Sequence, residues 1–264
     1  MTPPTDSAGL PAGLNHLDAA QLGGLGDMSP EQFRAAAHAT VDLLADYLEQ
    51  VEDFAVLPPI EPGALRDRLP SDPPEGPEPI GAILADVPRL VEPNATHWQH
   101  PGFLAYFATT ASGPGILGEF VTAVLGQNPM LWRTSPVGTE LEQVVVGWLR
   151  RALGLPDAFD GLLTDTASTS SLIAIAAARE AAGLDAAALG LAGRPELGAP
   201  VVYASEEAHS SIEKACMTLG LGRIACRRIA TDGAYAMRID ALEAALAADR
   251  AAGRTPIAVV ATIG

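Results

Sequence analysis

From about residue 161 onward, short apolar runs alternate with segments of helical period, and nothing else in the sequence constrains the fold as strongly. Strand patterns fall at 161–164, 200–204, 223–229 and 257–263, with helix patterns at about 168–182, 210–219 and 240–252 between them. That order predicts an α/β architecture: a mainly parallel sheet with flanking helices. The sequence stops at Gly264, directly after its last strand pattern, where such sheets carry their ligand crevice. It therefore reads as the leading part of a longer domain.

The upstream chain has a different texture. Residues 1–28 are rich in Gly, Pro and small side chains without periodicity and are expected to be a mobile leader. Ser29-Pro30 then opens a helix: serine suits the N-cap, proline the first helical position, and Gln32 is placed to complete a capping box. Phe33, Ala37, Val41, Leu44, Leu48 and Val51 form one apolar stripe on it. A proline-rich connection at 58–79 leads to a short amphipathic helix carrying Ile80, Ile83, Leu84 and Val87. Further helices are expected at about 115–125 and from the Ser135-Pro136 cap to Gly154. The first hundred residues thus offer apolar helix faces with almost no core of their own, to be buried on the rest of the chain or on a second subunit.

Composition narrows the function. The 264 residues are 48% hydrophobic and 18% charged, which excludes an intrinsically disordered whole. The formal net charge of −16 repels phosphate backbones and anionic lipid, so nucleic acid and membrane surfaces are not expected partners. The two cysteines, Cys216 and Cys226, make neither a disulfide framework nor a metal-site spacing, which fits the cytoplasm. Among the basic residues, Lys214 is the single lysine.

Three segments hold candidate chemistry. In LLTDTASTSSLIAIAAARE, small hydroxyl residues lie between a strand pattern and a helix pattern. Exposed N–H groups, hydroxyl donors and the positive end of the helix dipole converge there, a combination that binds phosphate. The pattern is neither a P-loop nor a Rossmann fingerprint, and an ordinary Ser/Thr-rich N-cap explains it equally well. His209 follows the second strand pattern, where an imidazole can stack on a planar group, act as an acid or base, or simply cap the next helix. Tyr106, Phe107 and Thr109 belong to an aromatic and hydroxyl cluster that could line a pocket or fill a core. His97 and His100 are spaced H-x-x-H, but lack carboxylate or cysteine partners, so no metal site is expected. Lys214, inside a helix pattern, reads as a solvated face.

Taken in order, SPEQFR, THWQHPGFLAYF, LWRTSP-x-x-TELE, DTASTSS, AHSSIEKA, DGAYAMR and PIAVVATIG resemble the pyridoxal-phosphate-dependent group II decarboxylases, in particular those acting on aromatic L-amino acids. The resemblance runs from about Met28 to Gly264. It implies the leading part of a fold-type I, transferase-like large domain at 113–264, preceded by a helical dimer-swap segment at 29–112. It implies pyridoxal 5'-phosphate as cofactor, a homodimer, and conversion of an aromatic L-amino acid to its amine and CO2. On this resemblance Thr166, Ala167 and Ser168 match the turn that holds the cofactor phosphate. His209 matches the histidine stacked on the pyridine ring, as a catalytic residue. Tyr106, Phe107 and Thr109 match residues around the substrate.

Some positions depart from the family pattern. Asp165 stands where a glycine often precedes the phosphate turn, and Asn128 and Met130 stand where bulkier side chains often border the pocket. The family's pyridine-facing aspartate, its cofactor-binding lysine and its mobile tyrosine loop all lie beyond the position matching Gly264, and Lys214 does not match that lysine. The chain alone is therefore expected to be inactive. Three alternatives stay open: an aldehyde synthase, a decarboxylase of a non-aromatic amino acid (for an acidic one, Arg133 is the only nearby cation), and a non-catalytic assembly partner.

Overall fold

The protein, as a computed structural model, is described over residues 11–23, 27–108 and 111–262. It divides into two compact units, one ending at Gly126 and the other beginning at Gln127.

The first unit is helical. Its main elements are α1 (Pro30–Gln50), α2 (Ile80–Asp86) and α3 (Gly113–Leu125). Serine caps set where the long helices begin: Ser29 Oγ accepts from the Gln32 N–H at 3.2 Å, and Ser112 Oγ from the Gly115 N–H at 3.2 Å. The capping box at α1 is only half formed. The Gln32 amide donates instead to the His16 carbonyl, and the Ser29 N–H donates to Asp18 Oδ2. Part of the segment expected to be a mobile leader is thus held in place, and Leu14 is buried with Ala36, Ala39 and Leu84. The α1 stripe finds no such cover: Phe33, Val41, Leu44 and Leu48 remain exposed. Phe33, Val41 and Leu44 border a groove of about 330 Å³ that Ile116, Leu117 and Phe120 of α3 also line.

His97 is buried beside α1. Its Nδ1 is 2.9 Å from the Tyr47 hydroxyl, and its ring stacks on Phe54 at 4.5 Å. His100 Nδ1 accepts from the Gly102 N–H. The H-x-x-H spacing thus serves packing and a local turn. Among the described residues, no group of three or more His, Cys, Asp or Glu side chains could hold a metal ion. No helix among them is long and apolar enough to cross a membrane.

The second unit contains α4 (Pro136–Ala152), α5 (Ala167–Ala181), β1 (Pro200–Ser205), α6 (Ser211–Thr218), β2 (Cys226–Ile229), α7 (Ile239–Ala251) and β3 (Thr255–Val260). The strands form one parallel sheet in the order β2-β1-β3. Steric alternation along β1 sends Val202 and Ala204 to one face, with Ile175 of α5 and Ile212, Ala215 and Cys216 of α6. Val201 and Tyr203 go to the other face, with Leu242, Ala245 and Leu246 of α7. Burial of β1 on both faces explains why PVVYAS reads as an uninterrupted apolar run.

The strand expected at 161–164 does not join this sheet. The segment is largely solvent-exposed, and its amide hydrogens find side chains rather than a neighbouring strand. The Leu163 N–H donates to Glu142 Oε1 at 2.7 Å, and the Gly161 N–H to Asp160 Oδ1 at 2.8 Å. Without a ladder partner, strand propensity alone does not make a strand. The pattern at 223–229 also shortens: Arg223–Ala225 is one turn of 3-10 helix, and pairing starts at Cys226.

Candidate active site

The N-terminus of α5 leaves backbone donors without helical partners. Thr166, in extended conformation, is its N-cap, and Thr166 Oγ1 accepts from the Thr169 N–H at 3.2 Å. That bond satisfies one of the amides orphaned at a helix start; Ala167 and Ser168, the first two helical residues, have no intrahelical acceptor for theirs. Around them the Thr164 and Ser170 hydroxyls lie 2.5 Å apart, and Thr164 Oγ1 donates to the Thr166 carbonyl at 3.0 Å. Thr166, Ala167 and Ser168 are all exposed, as is Asp165 just before the cap.

His209 occupies the turn between β1 and α6 and is exposed. The Ser211 N–H donates to its Nδ1 at 3.2 Å, so Nδ1 presents a lone pair, and the neutral ring assigned from this network carries its proton on Nε2. Sequence reasoning missed the residues that hold this turn. Arg228, on β2, donates through Nη1 to the carbonyls of Glu206 and Ala208, at 3.1 Å each. The Glu206 carboxylate accepts from the N–H and hydroxyl of Thr231 at 2.7 and 3.0 Å. These two donors hold its carboxyl below the usual range. The only advance signal was a pair of adjacent arginines in an acidic chain.

α5 and α6 pack side by side, which brings the 166–168 turn and the His209 turn to one end of a helix pair. Ser171 Oγ and Ser211 Oγ are 3.4 Å apart across the contact. Lys214 is exposed and lines a shallow groove of about 200 Å³ with Ser168, Thr169 and Ser211.

Tyr106 and Phe107 lie in the first unit and are 88% and 86% exposed. Tyr106 adopts φ 58°, a conformation rare for a bulky side chain, and its ring stacks on Trp98 at 5.8 Å. Thr109 lies outside the described residues.

A phosphate monoester suits the α5 terminus by donor chemistry: two N–H groups without helical acceptors, flanking hydroxyls, and the positive end of the helix dipole. An exposed imidazole one helix away suits the face of a planar ring. The family model described as the pyridoxal-dependent decarboxylase conserved domain matches residues 62–264. The chain belongs to the pyridoxal-dependent decarboxylase family. Aromatic-L-amino-acid decarboxylase of Bos taurus is 40% identical over 247 residues, covering 90% of this chain and 50% of the relative. Phenylacetaldehyde synthase of Arabidopsis thaliana is 38% identical over 245 residues, with 90% and 49% covered. Among solved structures, Catharanthus roseus tryptophan decarboxylase in complex with L-tryptophan superposes with a TM-score of 0.82 at 36% identity, over 90% of this chain and 50% of that one. The chain spans about half the length of these relatives.

Proposed function

We propose that the whole protein carrying this chain decarboxylates an aromatic L-amino acid to its amine and CO2, with pyridoxal 5'-phosphate as cofactor. The observation that carries this reading is the pairing of the open α5 terminus with the His209 turn at one end of the α5–α6 pair. Thr166, Ala167 and Ser168 bind the cofactor phosphate through two backbone N–H groups and two hydroxyls. His209 stacks on the ring, and its Nε2–H is the donor left over once Nδ1 has accepted the Ser211 N–H. Arg228, Glu206 and Thr231 hold the backbone of that turn. Tyr106, Phe107 and Thr109 contribute to substrate binding, as the resemblance to the family implies. When bound, pyridoxal 5'-phosphate supplies the electron sink that lets a carboxylate leave the α-carbon as CO2.

The protein acts as a homodimer in the cytoplasm. The half-exposed Phe33, Val41, Leu44 and Leu48 face supports burial by a second copy, and two free thiols fit a reducing compartment. The dimer-swap role belongs to 29–112 and cofactor binding to 113–264.

A second reading has specific support, because the aldehyde synthase relative is nearly as similar as the decarboxylases. One product assay separates them. With L-tryptophan, L-tyrosine or L-phenylalanine and added cofactor, amine and CO2 should form in equal amounts. Aldehyde and ammonia in place of amine would move the protein to the synthase class. Turnover of glutamate but of no aromatic substrate would overturn the aromatic assignment, and no turnover of any amino acid would favour an assembly role.

A further inference from the structure

Cys216 and Cys226 are the two cysteines of the sequence, and the connection between α6 and β2 brings them to one apolar cluster. α6 ends in a Schellman turn: the Gly220 N–H donates to the Met217 carbonyl at 3.2 Å and the Leu221 N–H to the Cys216 carbonyl at 3.0 Å. Gly220 supplies the left-handed φ of 76° that this turn requires. The chain then reverses through Gly222 and one 3-10 turn into Cys226, the first residue of β2. Cys216 is fully buried against Val202 and Ala204, and Cys226 packs on the same cluster from the strand paired with Val202. Each thiol shifts the acidity of the other.

Their surroundings differ in a way that divides the labour. Cys226 is half-buried. Cys216 and the nearby Arg228 guanidinium pull its thiol below the ordinary range, against burial and the Glu213 carboxylate. That carboxylate is itself engaged by Arg223 at 2.8 Å and Arg228 at 3.3 Å. Cys216 is pushed the other way by Cys226 and by burial. One sulfur is therefore a reachable nucleophile and the other a sheltered reserve.

We propose that Cys226 and Cys216 form a reversible thiol–disulfide pair that takes hydrogen peroxide as oxidant, a modification site separate from the 166–168 turn and His209. The Cys226 thiolate attacks a peroxide oxygen, the O–O bond breaks, and the hydroxide released takes up the proton that Cys226 gave up. The Cys216 sulfur then attacks the Cys226 sulfenic acid. The S–S bond forms, the S–O bond breaks, and the departing hydroxide leaves as water with the Cys216 proton. Two thiols are oxidised by two electrons in all, one peroxide is reduced to two waters, and an external thiol reverses the change.

The test treats the reduced protein with peroxide, blocks remaining thiols with an alkylating agent in denaturant, and maps tryptic peptides. Both thiols should disappear together, the mass should fall by two hydrogens, and peptides 215–223 and 224–227 should be joined until dithiothreitol separates them. Cys216→Ala should trap a dimedone-reactive sulfenic acid at Cys226, and Cys226→Ala should slow oxidation of Cys216 at least tenfold. Mapping of the unmodified sequence decides the matter even if a variant fails to fold. Overoxidised Cys226 beside an alkylatable Cys216, a disulfide between two molecules, or two surviving thiols would each overturn the pair.

Discussion

Replacing Asp249 with alanine should cost the second unit about 3 kcal/mol, at the lower end of what losing one partner of a buried ion pair costs. Asp249 lies on α7 and is 1% exposed. Tyr203 donates its hydroxyl to Oδ2 at 3.0 Å from the centre of the sheet, and Arg227 on β2 donates Nε to the same oxygen at 3.0 Å and a second nitrogen to Oδ1. Arg254 adds a charge at 3.7 Å, just before β3. One carboxylate therefore ties the helix to all three strand segments. Alanine would leave the buried Tyr203 hydroxyl without its acceptor. Arg227 and Arg254 are more than one-third exposed and regain water, which is why the lower end applies.

The same site sets a pH window. The Arg227 hydrogen bonds hold the Asp249 carboxyl below its ordinary value, against the effect of burial. Its contribution is therefore complete above the unfolded carboxylate pKa of about 3.9 and is lost as pH falls through the lower folded value. Burial first, and then the Asp249 contacts, push the Tyr203 hydroxyl up to about 12, so its contribution is lost as pH rises through that value. Urea denaturation of the wild type and Asp249→Ala across this range should show the gap between them closing in acid. A gap independent of pH would contradict the ion-pair explanation.

The largest effect on catalysis is expected at His209. His209→Phe keeps an aromatic face and loses the nitrogen donor, whereas His209→Ala loses both. Stacking contributes about 0.5–1.5 kcal/mol beyond burial, so His209→Ala should weaken cofactor binding roughly twofold to tenfold while His209→Phe stays near wild type. A positioned acid contributes about 10²–10⁴ in rate, so both should lose turnover on that scale. The Ser211 N–H that loses its acceptor belongs to a buried residue, so both variants should also lower the melting temperature somewhat. Lower melting temperature with unchanged cofactor affinity and turnover in both variants would mark His209 as a capping residue only.

What could be read from the sequence followed local physics. Ser29 and Ser135 each sit next to a proline that suits a first helical position, and each accepts the expected amide hydrogen bond. The Thr166 cap was legible only as one residue of a Ser/Thr-rich stretch ahead of a helix pattern. The rest depended on contacts distant in sequence. Residues 161–164 have strand composition, yet only a neighbouring strand would make them one. Leu14 looked like part of a leader until Asp18 and Gln32 fixed its path. The hold of Arg228 on the Glu206 and Ala208 carbonyls spans a parallel strand pair, and no local pattern announces it. Cys216 and Cys226 read as two isolated thiols because their meeting requires the turn at Gly220 and Gly222.

Comparing the affinity of the whole protein for pyridoxal 5'-phosphate and for pyridoxal, by equilibrium dialysis, tests the central assignment most directly. The two ligands differ by the group assigned to Thr166, Ala167 and Ser168. Hydrogen bonds to a charged group contribute about 1.5–3 kcal/mol each, so two backbone donors alone amount to about a hundredfold or more in affinity. The phosphate ester should bind tighter by at least that factor, and Ser168→Ala should narrow the difference. Equal affinity for the two ligands would contradict a phosphate site at the start of α5 and the reading of the active site built on it.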